Sequence, residues 1–232
     1  MTIKQFEDLI ISELTKVVDA IVKANLKLDI SAKSRAGAEI SDWLEEKFVE
    51  KTKKHKYFQN SEFAPKSNPK HPWDAKTTFK YKGLNENIYI DFKAFKVSSN
   101  DSNPKMGSPD KIIKLINGGS FYHTFIFVYY KSTQNSIKFT KKDKKYVRSF
   151  FMKDINNSFY RDSTNQLQVN FAEPSEYRTR EEFINLLEEK LEVSYQRQIK
   201  NLNIKKKNLK SRIAEIKKVN SETKDKLIKN LE

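Results

Sequence analysis

Apolar residues recur at helical spacing from the start of the chain. Ile3, Phe6, Leu9, Ile10, Leu14, Val17, Val18 and Ile21 share one face over residues 2–27, which predicts an amphipathic helix. Ser34 to Lys54 predicts a second, with Trp43, Leu44 and Phe48 on its apolar face and Ser34 as N-cap. Residues 59–73 are polar, hold three of the six prolines, and read as loop. Two alternating segments follow, 74–81 and 87–97, with Lys82-Gly83 between them as turn chemistry. Residues 98–110 form a second polar loop, 111–117 a short helix closed by Gly118-Gly119, and 120–130 the strongest buried strand. Residues 137–139 and 166–171 are further strand candidates. From Thr179 the pattern is helical almost to the end, with Ser221 placed to cap a final short helix. Ile199, Leu202, Leu209, Ile213 and Ile216 make a 3/4 seam interrupted by Lys206, suited to a second subunit or to folding back on the chain's own domain. The expected fold class is α/β (α+β), a mixed central sheet flanked by helices. The expected domains are a catalytic and DNA-binding body over 1–180 and a helical extension over 181–232, for dimerisation or for clamping DNA.

Composition sharpens this picture. The 232 residues are 37% hydrophobic and 32% charged, with a formal net charge of +15. Residues 51–150 carry 21 Lys and Arg against 7 Asp and Glu, and residues 195–232 carry 12 against 4. Positive charge gathered in the middle and tail fits a polyanionic partner, because neutralised phosphates release condensed counterions. The absence of cysteine excludes disulfides and thiolate metal sites. No apolar run reaches membrane-spanning length and no signal-peptide pattern is visible, so no membrane partner and a bacterial cytoplasmic location are expected.

Acid-x-Lys tripeptides are common in such a composition, and Glu45–Lys47, Asp143–Lys145, Glu188–Lys190, Glu215–Lys217 and Glu222–Lys224 lie in polar or helical surroundings. Asp91–Lys93 differs. It stands in Asn87-Ile-Tyr-Ile-Asp-Phe-Lys-Ala-Phe-Lys-Val97, where alternation puts Asp91 and Lys93 on one face and Ile90 and Phe92 on the other. Charges inside a half-buried strand need partners. Asp74 supplies one, because a hairpin centred between Lys82 and Gly83 sets it opposite Asp91. Adjacent carboxylates repel unless a cation or proton intervenes. Mg²⁺ suits them, with the Phe92 main-chain carbonyl as a further ligand. Such an ion can activate a water and polarise a phosphodiester while Lys93 contacts the water and the scissile phosphate. The bland alternative is a salt-bridged surface hairpin.

Pro72-Trp73-Asp74, sixteen residues, then Asp91-Phe92-Lys93 resembles the PD-(D/E)XK nuclease signature, with Trp73 inserted after the proline. Ser34-Arg-Ala-Gly-Ala-Glu39-Ile-Ser-Asp-Trp-Leu-Glu45 is similar to the N-terminal helix of many type II restriction endonucleases, where a Glu at the Glu39 position assists a second ion. The layout further resembles the EcoRV and HincII group, including Leu167-Gln-Val-Asn-Phe171 followed by Thr179-Arg-Glu-Glu-Phe183. A SwaI-like cutter of AT-rich sites would fit this layout. The resemblance implies a restriction-endonuclease-like sheet, Mg²⁺ with Mn²⁺ able to substitute, and a homodimer on double-stranded DNA. It further implies a palindromic site, central blunt cleavage leaving 5′-phosphate and 3′-OH ends, and a companion methyltransferase in the host.

Base readers are expected on two loops rich in donors and acceptors. One holds Lys66, Ser67, Asn68, Lys70 and His71, the other Ser98, Ser99, Asn100, Asn103 and Lys105. Competing functions are a structure-selective repair or recombination nuclease and a non-catalytic DNA-binding protein.

Overall fold

The computed structural model describes residues 1–30, 36–65, 71–97, 104–132 and 136–231. Helix α1 (Ile3–Ala24) opens on a capping box, in which the Thr2 side chain accepts from the Gln5 amide and the Gln5 side chain accepts from the Thr2 amide. Its stripe of Phe6, Ile10, Leu14, Val18 and Ile21 is buried. Helix α2 (Ala36–Thr52) buries Ile40, Leu44 and Phe48, one turn apart. The expected N-cap Ser34 lies outside the described residues.

Both helices cover one face of a mixed sheet. Among the described residues its order is β1-β6-β5-β4-β3-β2, with β7 also paired to β5. The strands are β1 (Lys27–Leu28), β2 (Phe58–Phe63), β3 (Ala75–Tyr81), β4 (Leu84–Lys96), β5 (His123–Ser132), β6 (Ile137–Phe139) and β7 (Val147–Phe151). β4 and β5 run parallel, joined through α3 (Pro109–Asn117), while the other pairs are antiparallel. β5 is the spine: His123 to Tyr130 are all buried, as a strand packed on both faces requires. Each fully buried Phe contributes about 1.5–3 kcal/mol of burial.

Strand alternation separates two chemistries. Ile88, Ile90, Phe92, Ile126 and Val128 face the helices and join their core. Asp91, Lys93, Phe95, His123, Phe125 and Phe127 take the opposite face, where Phe150 and Phe171 pack.

Several expectations change. Residues 59–73 are not wholly loop, because Phe58–Phe63 forms edge strand β2. Its polar sequence hides it: one side faces water, and a bulge at Asn60 (φ 52°) breaks the alternation. β1 and β7 have no counterpart in the sequence reading. The candidate strand 166–171 contracts to β9 (Leu167–Gln168), paired with β8 (Tyr160–Arg161) in a small separate sheet. Val169 and Phe171 beyond it serve as buried anchors. Helix α4 (Arg180–Leu231) runs straight through Ser221, so no separate final helix exists. Contacts divide the chain into two units, Met1–Asn185 and Leu186–Glu232. No helix among the described residues is long and apolar enough to cross a membrane.

Candidate active site

The β3–β4 hairpin turns at Lys82 and Gly83, both with positive φ (47° and 84°), the geometry of a tight hairpin connection. Its register pairs Tyr81 with Leu84 and Ala75 with Ile90. One further step sets Asp74 opposite Asp91, and the Asp74 amide donates to the Ile90 carbonyl at 2.7 Å. Beyond this point β3 ends and the flank of β4 opens. The Asp74 carboxylate fills the gap: its Oδ2 accepts from the Phe92 amide at 2.7 Å. Amide and carbonyl of one strand residue point to the same side, so the Phe92 carbonyl is directed to the side that Asp74 occupies. That carbonyl accepts from Ser41 Oγ of α2 at 3.1 Å. A backbone oxygen has two lone pairs, so Ser41 fixes it without closing it to a cation.

Asp91 is 6% exposed and Asp74 half-buried. Asp91 Oδ1 meets Lys93 Nζ at 2.5 Å, yet accepts no well-directed hydrogen bond. Burial pushes the Asp91 carboxyl up to about 7; Lys93 pulls it back, and the Asp74 carboxylate adds to the rise. Burial also raises Asp74, against the opposing pull of Lys93 and the Phe92 amide. Burial pulls Lys93 down, but Asp91 and Asp74 outweigh it and hold its ammonium above the ordinary range.

This donor set fits a small divalent cation. Burial raises both facing carboxyls and the Lys93 cation only partly offsets it, one buried oxygen lacks a directed donor, and an oriented carbonyl stands alongside. Among the described residues no group of three or more His, Cys, Asp or Glu side chains gathers into a metal cage. Waters and the Phe92 carbonyl would therefore complete the shell, as Mg²⁺ commonly allows.

Glu39 sits half-buried in the first turn of α2. The α2 carboxylate whose charge bears on Asp74 is Asp42, one turn further on. Sequence reading missed both Asp42 and Ser41; Ser41, three and seven residues before the buried Leu44 and Phe48, shares their helical face, whereas the exposed Asp42 carries no such signal. His123, within the segment read as the strongest buried strand, is 2% exposed. Burial first and the Lys93 cation second drive its pKa down to about 3. Neither ring nitrogen makes a well-formed hydrogen bond, and the Pro72 carbonyl offers only weak compensation.

Of the expected base readers, Lys66, Ser67, Asn68, Lys70, Ser98, Ser99, Asn100 and Asn103 lie outside the described residues. His71 packs on Trp73, ring centroids 4.9 Å apart. Lys105 is exposed and forms a bridge to Gln168.

The model of the SwaI-like family, described as SwaI restriction endonuclease, matches residues 2–211. Among solved structures the chain is similar to the NlaIV restriction endonuclease, with a TM-score of 0.46 and 14% identity over 82% of this chain and 79% of that one. No curated protein matches at a significant level.

Proposed function

Because the chain belongs to the SwaI-like restriction endonucleases, and so is a site-specific DNA endonuclease, we propose that Asp74, Asp91 and Lys93 form its cutting centre. The observation that carries the reading is the pair of carboxylates brought opposite each other by the hairpin register, with Lys93 Nζ 2.5 Å from Asp91.

Mg²⁺, or Mn²⁺ in its place, would be held by the carboxylates of Asp74 and Asp91 and the carbonyl of Phe92. When bound it supplies Lewis-acid charge at the phosphate and makes a water more acidic. The residues of the chain do the rest. The Phe92 amide and the Ser41 hydroxyl fix Asp74 and the Phe92 carbonyl in place. Lys93, kept protonated by its carboxylates, donates to a non-bridging phosphate oxygen and offsets charge as the attacking water adds. The water oxygen bonds to phosphorus and releases a proton to bulk water, the bond to the 3′ oxygen breaks, and that oxygen takes up a proton from bulk water. The products are a 5′-phosphate and a 3′-OH. Glu39 is retained as a candidate aid to a second ion, with Asp42 beside it.

A palindromic site requires two such centres, and a homodimer provides them. The exposed apolar residues Ile199, Leu202, Leu209, Ile213 and Ile216 on α4 support that assembly. Grouping with EcoRV and HincII, and a companion methyltransferase, belong to the same proposal.

The test is plasmid cleavage in Mg²⁺ by the wild type and by Asp91→Ala. The expected result is discrete fragments from the wild type, none from the variant, and a gel shift on the same DNA retained by both. Equal cleavage by the variant overturns the assignment.

A further inference from the structure

The small β8–β9 sheet adjoins the cutting face through a continuous backbone connection. Lys105 bridges antiparallel to Gln168. The Met106 amide donates to the Leu167 carbonyl at 2.7 Å, and the Leu167 amide to the Gly107 carbonyl at 2.8 Å. Residues 105–107 thus act as a third strand on the hairpin. Gly107 in turn lies against the segment that delivers Asp74: a Cβ on it would stand 3.9 Å from Pro72 Cβ. Met106, Phe159, Leu167 and Val169 are buried beneath the hairpin, so its base is fixed.

The tip is equally ordered. Asp162 Oδ1 accepts from the amides of Thr164 at 2.8 Å and Gln166 at 2.9 Å, while Oδ2 accepts from Gln168 Nε2 at 2.6 Å. Arg161 Nε donates to Asn165 Oδ1 at 2.6 Å, holding Asn165 at φ 61°. The turn therefore forms without a ligand and leaves Ser163 and Thr164 exposed at its crest. Thr164 Oγ1 donates to the Asp162 carboxylate at 2.8 Å and accepts from Lys105 Nζ at 3.5 Å, so Asp162 also orients its hydroxyl. An Asp-anchored turn is ordinary chemistry; what distinguishes this one is its backbone link to the segment beside Pro72 and the hydroxyls, amide and ammonium gathered along it, the groups that pair with base edges. A two-stranded ribbon also fits the major groove.

We propose that the β8–β9 turn reads bases in the major groove of duplex DNA, with Ser163, Thr164, Gln166 and Lys105 as the reading groups. Asp162 is a positioning residue that holds them. The proposal rests on Asp74 and Asp91 being the cutting centre, because the turn is tied to the strand that carries Asp74.

The experiment digests a plasmid library carrying a randomised window, in Mg²⁺, with sequencing of the ends. Wild type is compared with Thr164→Ala, Gln166→Ala, Asp162→Ala and Asp162→Asn, each checked for an unchanged melting temperature. Thr164→Ala and Gln166→Ala should each relax one or two base positions and lower kcat/KM on the preferred sequence about 10- to 100-fold. Asp162→Ala should relax the same positions, and Asp162→Asn should restore much of the discrimination. Variants that cut the same sequences in the same proportions as wild type overturn the proposal while leaving the cutting centre standing. A wild type that cuts no library member sinks both.

Discussion

His123 illustrates how a single buried group reports on the candidate site. Its depressed pKa leaves it neutral in the folded protein, whereas in the unfolded chain it titrates near its usual value of about 6.5. The unfolded state therefore takes up the proton first as pH falls. The stability His123 contributes is complete above about pH 6.5 and is lost toward pH 3, by about 1.4 kcal/mol per pH unit. Buried carboxylates with raised values, Asp91 among them, act with the opposite sign, so the difference between proteins is the informative quantity. In denaturant titrations of wild type and His123→Leu at several pH values, the stability of wild type relative to the variant should fall as pH drops below about 6.5. A constant gap would show that the imidazole titrates normally. At this scale the sequence was informative where chemistry conflicts with pattern. Asp91 stood out because a charge interrupts an alternating strand, and Asp74 because it lies symmetrically about Lys82-Gly83. Lys153 did not stand out, since nothing in its neighbours distinguishes a buried lysine from a solvated one.

Lys153 matters at the scale of elements. It is 1% exposed, and its Nζ pairs with the Glu7 carboxylate of α1 at 2.9 Å and donates to Asp154 at 2.7 Å and the Arg178 carbonyl at 2.6 Å. One ammonium thus joins the first helix, the 3-10 turn Met152–Asp154 and the segment leading into α4. Lys153→Ala leaves Glu7 and Asp154 buried without their cation and should cost about 3–5 kcal/mol in urea unfolding. Adding Glu7→Gln should recover part of it. Gly107 is a second such joint. Its φ of 102° disfavours any side chain, so Gly107→Ala should cost about 1 kcal/mol in the same assay. Long elements with a clear period, α1, α2, β4 and β5, were legible. β1, β7 and β8 were not, and β2 was read as loop, because short or polar strands carry no period of their own; β9 was read only within a longer candidate strand.

For the molecule as a whole, charge was read as favouring a polyanion, in keeping with a restriction-endonuclease family, while the proposed recognition surface needed the fold to bring residues 72, 107 and 167 together. The exposed seam of α4 extends past Ile216 to Leu227 at heptad spacing, with Lys206 and Asn220 at inward positions, which favours a defined register. The positions flanking that seam hold Lys205, Lys210, Arg212, Lys217, Lys224 and Lys226 and no acidic residue. Two such helices zipped side by side would set cation against cation, Lys205 facing Lys210 and Arg212 facing Lys217 of the other copy. Added electrolyte screens that repulsion while weakening the grip on nucleic acid. Sedimentation equilibrium should therefore show self-association tightening between 50 mM and 500 mM NaCl, over a range where filter binding shows affinity for DNA falling. A polyanion lying along the flanks would screen them as salt does, so the duplex itself would help to zip the two tails.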